Sequence, residues 1–200
     1  MEELLAKLHD YSRQLELEDS IPYWEAQKRN LQDRFRELEQ NRRQKQVDLD
    51  WMKEPNFFQR FFGRVEEKKE KLARQLQEIT AAHTAVRWEQ ESLEQKITAG
   101  KQELETLAGS REAYEAAKAE MVFSPAQESC LMMEEIAAFA PVALETAWRA
   151  LEALEEARTW MQKDALSSRV GVDNRKMECL YNAQVYTRRL HQILSVLPEG

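Results

Sequence analysis

Three histidines, two cysteines and a short run of glutamates are the residues of this chain whose chemistry reaches beyond packing and solvation. A carboxylate-bridged two-metal site in a helical bundle needs Glu-x-x-His on two helices and two further inward-facing glutamates. The residues three before His9, His83 and His191 are Ala6, Thr80 and Arg188, so that motif is absent. There is no His-Glu-x-x-His, no paired-cysteine ligand spacing and no EF-hand loop. Cys130 and Cys179 fall inside helical patterns and read as buried, reduced thiols. Glu152, Glu155 and Glu156 form a carboxylate cluster that a solvated helix face explains. No Gly-x-Ser-x-Gly turn occurs, and five glycines are too few to build a phosphate-cradling loop. The chain therefore reads as a non-enzyme, with no catalytic residue, metal or cofactor assigned.

Charge points elsewhere. The net charge of −7 is unevenly placed. Residues 28–76 carry fourteen Lys/Arg against nine Asp/Glu, a local +5, which leaves −12 for the remainder. Arg29, Arg34, Arg36, Arg42, Arg43 and Lys45 lie along one predicted helix, and Lys68, Lys69, Lys71 and Arg74 along the next. Binding to nucleic acid phosphates needs such cations free of competing acids. Here Asp33, Glu37, Glu39, Glu66, Glu67 and Glu70 are interleaved at spacings that form i,i+3 and i,i+4 pairs. Nucleic-acid binding along this basic stretch is accordingly the weakest of three functional expectations.

The strongest local anomaly is aromatic. Asn56-Phe57-Phe58-Gln59-Arg60-Phe61-Phe62-Gly63 places four phenylalanines within six residues. Heptad steps put Phe58 and Phe62 on the seam of the following helix, where they would close a hairpin end together with Met52. Phe57 and Phe61 fall one position off that stripe. With Trp51, and flanked by Lys53, Arg60 and Arg64, they form a candidate docking surface for a partner protein or an anionic membrane. Rings would insert and cations would meet the headgroups.

These residues are positioned by long helices. From Val65 to Met121 a seam steps in strict alternating spacings of three and four, and eleven of its seventeen positions are apolar. Gly109-Ser110 is the expected point of kinking or fraying. An earlier stripe, Leu4, Leu8, Tyr11 and Leu15, marks a first helix that Asp19-Ser20-Ile21-Pro22 is expected to break, with Asp19 or Ser20 capping the next. A second seam runs through Trp24, Lys28, Leu31, Phe35, Leu38, Arg42, Lys45, Leu49 and Met52. Lys53-Glu54-Pro55 ends it, and a short connection implies an antiparallel hairpin. Pairing Leu38 with either Leu76 or Lys69 satisfies the seam, and the first register is favoured because it buries more apolar area.

Ser124, Pro125 and Gln127 form a capping box that opens a further helix, with a kink or split expected near Ala138–Ala140 ahead of Pro141. A loop at 167–172 precedes a last helix capped by Asp173 or Asn174. Leu131, Met133, Ile136, Phe139, Leu144, Leu151, Leu154, Met161, Leu180, Val185, Leu190 and Leu194 read as the wide apolar faces of a compact bundle. Its third layer would come from the distal end of the long helix with the first helix.

The expected fold is all-α: a long antiparallel coiled-coil hairpin (1–123, turn near 53–63) joined to a small C-terminal helical bundle (124–200). Gly and Pro at five each and 32% charged residues agree with long helices. No apolar run is long enough to span a bilayer, and the N-terminal residues lack the pattern of an export signal, which makes the cytoplasm the expected location. In heptad pattern alone the chain resembles the long hairpins of chromosome-maintenance ATPases and of bilayer-coating stress scaffolds. The nucleotide-binding signatures of the former are absent. The expected function is a scaffold or adaptor acting through coiled-coil contacts with protein partners, including a second copy of itself. Peripheral membrane binding through the hairpin tip is the alternative.

Overall fold

The computed structural model describes residues 1–52, 65–164 and 170–197. Among them the protein is all-α, a helical hairpin plus a small bundle, and no described helix is long and apolar enough to cross a membrane. The helices are α1 (Glu2–Trp51), α2 (Val65–Thr106), α3 (Ser110–Glu120), α4 (Pro125–Asp164) and α5 (Val170–Leu194). They form two compact units, one of residues 1–20 with 101–200, the other of residues 21–100. This division does not follow the 123/124 boundary, since α1 and α2 each contribute to both units.

The hairpin unit obeys the heptads. Every seam position of α2 and α3 whose side chain is described is buried or half-buried except Arg111, and along α1 from Trp24 to Met52 only Arg42 is exposed. Lys28 pairs with Glu94 at 3.0 Å, and the Phe35 ring lies 4.1 Å from that of His83. His83 Nε2 also sits 3.4 Å from Glu39 without hydrogen-bond alignment. Phe35 and Glu39 thus flank His83, so Leu38 faces the turn of α2 that holds His83. Leu76 lies about one heptad away. The Leu38–Leu76 alignment is therefore not the one adopted.

Pro22 departs from expectation, and at Pro141 the helix does not split. α1 runs unbroken through Pro22, although its ring removes the hydrogen bond to the Glu18 carbonyl. The flanking side chains explain why the helix persists. Leu17, Asp19, Ser20 and Ile21 are all buried, and Asp19 and Ser20 bond to α4 instead of capping a helix. Tertiary contact overrides a local penalty there. α4 likewise continues through Pro141 as one element. In the turn that this proline perturbs, the Ser12 hydroxyl donates to the Ala138 carbonyl at 2.7 Å. That bond satisfies backbone next to the lost i→i−4 bond.

Glycine does interrupt the long helix. α2 ends at Thr106, Gly109 adopts φ +84°, and α3 restarts with the Ser110 amide bonded to the Leu107 carbonyl at 3.0 Å. A left-handed φ is open to glycine at no steric cost. The capping box at α4 forms by half: the Ser124 amide donates to Gln127 Oε1 at 2.9 Å, and the Ser124 hydroxyl donates to the same oxygen. α5 begins at Val170, a few residues earlier than the expected cap. Of the loop before it, residues 165–169 lie outside the described part.

The core of the bundle unit collects Leu4, Leu8, Tyr11, Leu15, Tyr114, Leu131, Phe139, Val142, Ala143 and Ile193. Tyr11 packs edge-on against Phe139 at 5.2 Å and tilted against Tyr114 at 6.2 Å. Arg13 spans to Glu103 with two bonds of 2.8 and 2.9 Å, so the first turns of α1 cover the distal part of α2 as expected.

Candidate functional site

α4 is apolar on two sides, and only one of them is covered. Its inner stripe runs through Leu131, Glu135, Phe139, Val142, Thr146, Ala150, Ala153 and Ala157, all buried. α5 packs along it with Cys179, Ala183, Tyr186 and Ile193 turned in. Alanines let the two helix backbones approach closely, so shape rather than side-chain bulk makes this contact. The Arg175 guanidinium lies 5.7 Å from the centre of the Trp160 ring, across the same helix pair.

Three polar groups are built into that inner face. Thr146 donates to Asp19 at 3.0 Å, and Arg149 donates to Asp19 through Nη1 and to the Ser20 hydroxyl oxygen at 3.1 Å. Asp19, Ser20, Thr146 and Arg149 are all buried, so the pair is satisfied inside the unit, as a buried charge must be. Burial pushes the Asp19 carboxyl up from its ordinary value, against the opposing pull of Arg149 and Thr146. Nearby, Glu135 accepts the Tyr114 hydroxyl at 2.5 Å and also the Lys118 ammonium. Burial first, then the carboxylate, hold the Tyr114 phenol well above its usual range. These groups are joined to one another and read as structural.

The outer stripe is the unexpected feature. Stepping α4 by alternating fours and threes from Met133 gives Ala137, Ala140, Leu144, Ala147, Leu151, Leu154, Arg158 and Met161, with Trp148 alongside. All are exposed except the half-buried Ala147, with Met133 at 68%, Leu144 at 61% and Trp148 at 60%. The stripe spans roughly 42 Å at 1.5 Å per residue. Met133, Ile136, Leu144, Leu151, Leu154, Met161, Leu180, Val185 and Leu194 were expected in the core, and all nine are exposed. The alanines took the inner positions, and the large side chains stand outside. The signal that distinguishes this case is the second heptad seam itself, which a reading of one wide apolar face absorbs into the core.

The exposed charges of α4 are mostly acidic. The exposed charged residues of α4, among those described, are Glu128, Glu134, Glu145, Glu152, Glu155 and Glu156 against the single base Arg158. A contiguous apolar seam with a polar rim is how contact surfaces are built.

Other expected site residues fare differently. Trp51 is exposed and Met52 half-buried, and both border a recess with Lys45, Lys68, Lys71 and Leu72. Lys53, Phe57, Phe58, Arg60, Phe61, Phe62 and Arg64 lie outside the described residues. Cys179 is buried as expected, with its thiol pushed up to about 11 by burial and then by Glu156, whereas Cys130 is exposed. The interleaved charges pair as their spacing predicts: Arg36 with Asp33, Arg42 and Arg43 with Glu39, Lys69 with Glu66. Arg42 and Arg43 hold the Glu39 carboxyl down at about 2. Among the described residues no three His, Cys, Asp or Glu side chains converge as a metal site. Comparison with known protein families, with characterised proteins and with solved structures gives no match for this chain.

Proposed function

We propose that the protein is a non-enzymatic, cytoplasmic scaffold or adaptor that works through helix–helix contacts with a protein partner. The observation that carries this reading is the outer seam of α4. Large apolar side chains at heptad spacing on an uncovered helix face lose water contact only when another helix lies on them. The test is a photo-crosslinking amino acid placed at Leu151, with Glu112, exposed on α3, as the control position. Discrete cross-linked products from position 151 and none from 112 are expected. Equal or absent cross-linking from both would refute the reading.

Peripheral membrane binding is the second reading, favoured by one observation: Trp51 is 79% exposed at a recess whose charged lining is Lys45, Lys68 and Lys71 together with Asp48 and Asp50. An interfacial ring with neighbouring cations suits an anionic bilayer surface. Co-sedimentation with phosphatidylserine vesicles at low salt, lost in Trp51→Ser, is the expected result. No sedimentation of the unmodified protein would eliminate it. Nucleic-acid binding is less favoured, because Arg36, Arg42, Arg43 and Lys69 are engaged by neighbouring carboxylates.

A further inference from the structure

We infer that the outer face of α4 pairs antiparallel with the same face of a second copy of this chain. The inference rests on the contact reading above and names its partner. It is carried by the order of large and small side chains along the seam. A foreign helix places no condition on that order, because its own sequence can differ to suit. A two-fold pair does: wherever a large side chain stands, the same sequence read backwards must offer a small one.

Reading α4 against itself about an axis level with Glu145 and Thr146 meets that condition. Facing layers then join Leu144 to Ala147, Leu151 to Ala140 and Leu154 to Ala137 of the other copy. Extended one step back from Met133, the seam reaches the exposed Cys130, and Met161 falls opposite it. Each of these layers sets a large side chain against a small one, which fills the space between two helices evenly. Sliding the pair by a heptad one way sets Leu144 against Leu154. Sliding it the other way sets Ala137 against Ala147 and Met133 against Leu151. A parallel pair in register would stack leucine on leucine and alanine on alanine throughout.

The remaining layer carries charge. Arg158, the one base in the seam, falls opposite Met133 and beside Glu134 of the other copy. Its own helix supplies Glu155 three residues before it, and pairing brings that carboxylate toward the same Glu134. The guanidinium therefore lies between two carboxylates that would otherwise repel each other, both exposed in the single chain. Glu145, bonded to Arg149, and Glu152 lie off the seam and do not enter the contact. A parallel pair would instead set Arg158 against Arg158. Shape and charge select the same antiparallel register.

Sedimentation equilibrium of the full-length protein over a concentration series should show monomer and dimer in exchange. Leu144→Ser/Leu151→Ser, checked for unchanged helicity, should raise the dissociation constant at least about tenfold. Arg158→Glu should raise it as well, and Glu134→Arg added to Arg158→Glu should restore pairing, since each copy then offers the reversed pair. Direction is read with Met161→Cys and a short bis-maleimide, which should join position 161 of one copy to Cys130 of the other. The unmodified protein should not cross-link, because Cys179 is buried and the two Cys130 thiols lie roughly 45 Å apart in this pair. Pairing stabilises the fold only by mass action, so in dilute solution the variants should unfold like the unmodified protein.

A monomer throughout a series reaching about 1 mM would overturn the proposal. So would a dimer unaffected by the Ser variant, or cross-linking of the unmodified protein through Cys130. Should position 151 cross-link a different protein while the chain stays monomeric, the second copy falls and the contact reading stands. A monomer with no cross-links from position 151 sinks both.

Discussion

The unit of residues 1–20 and 101–200 and the hairpin unit of residues 21–100 use the same kind of helix to different ends. In the first, four leucine and tyrosine positions of α1 meet Tyr114, Phe139 and Ile193 in a core, and a charged pair is closed within it. In the hairpin unit the buried apolar side chains among those described are Ile21, Val86 and Ile97, and the other described seam side chains are half-covered except the exposed Arg42. Two helices facing each other can shelter only a strip, whereas a third and fourth layer surround side chains on all sides. The bundle unit thus has apolar surface to spare, and it spends it on the outer face of α4. The hairpin exposes single apolar side chains, Val47, Trp51 and Trp88, and stabilises its flanks with paired charges worth little each.

This contrast sets the order of mutational effects. Phe139→Ala removes a ring with 0% exposure from the bundle core and should cost about 3–5 kcal/mol in urea unfolding. A loss under ~1 kcal/mol would mean that the core is loosely packed and the contrast with the hairpin unfounded. Asp19→Ala should cost about 3 kcal/mol or more, because it strands the buried Arg149 charge. Pairing it with Arg149→Met sharpens the comparison: the double variant should recover much of the loss, and additive losses would show that the two groups act separately.

Effects in the hairpin should be smaller and of either sign. His83→Leu replaces a half-buried polar ring against Phe35, and Glu39 keeps its bonds to Arg42 and Arg43. Stability should rise by about 1 kcal/mol. A fall in melting temperature would show that the His83 layer holds the register. Lys28→Ala breaks a half-exposed pair with Glu94 and should change stability by less than about 1 kcal/mol in either direction.

Sequence patterns made some of this legible and hid the rest for definite reasons. The seam from Lys69 to Met121, Arg111 apart, and the stripe of Leu4, Leu8, Tyr11 and Leu15 are buried or half-buried where periodicity places them, because spacing decides which face of a helix is apolar. Gly109 interrupts the long helix where its backbone freedom suggested. Pro22 and Pro141 do not break their helices, since distant partners, Arg149 and Ser12, satisfy or pin the backbone beside them. Such partners lie more than a hundred residues away and leave no local trace. The hairpin register does not follow from the heptads, because offsets of whole heptads satisfy the same seam. The outer face of α4 was missed because hydrophobicity ranks Leu144 and Leu151 above Ala150 and Ala153 for burial, while close helix approach to α5 selects the alanines.

We propose that the large apolar residues on the outer face of α4 serve contact and not folding. Urea unfolding of Leu144→Ser/Leu151→Ser, run beside Phe139→Ala, tests it most directly. Both leucines are exposed, at 61% and 44%, so stability should stay within about 0.5 kcal/mol of the unmodified protein, the range of ordinary surface changes. A loss comparable to that of Phe139→Ala would contradict it, since these side chains would then be part of the fold's core.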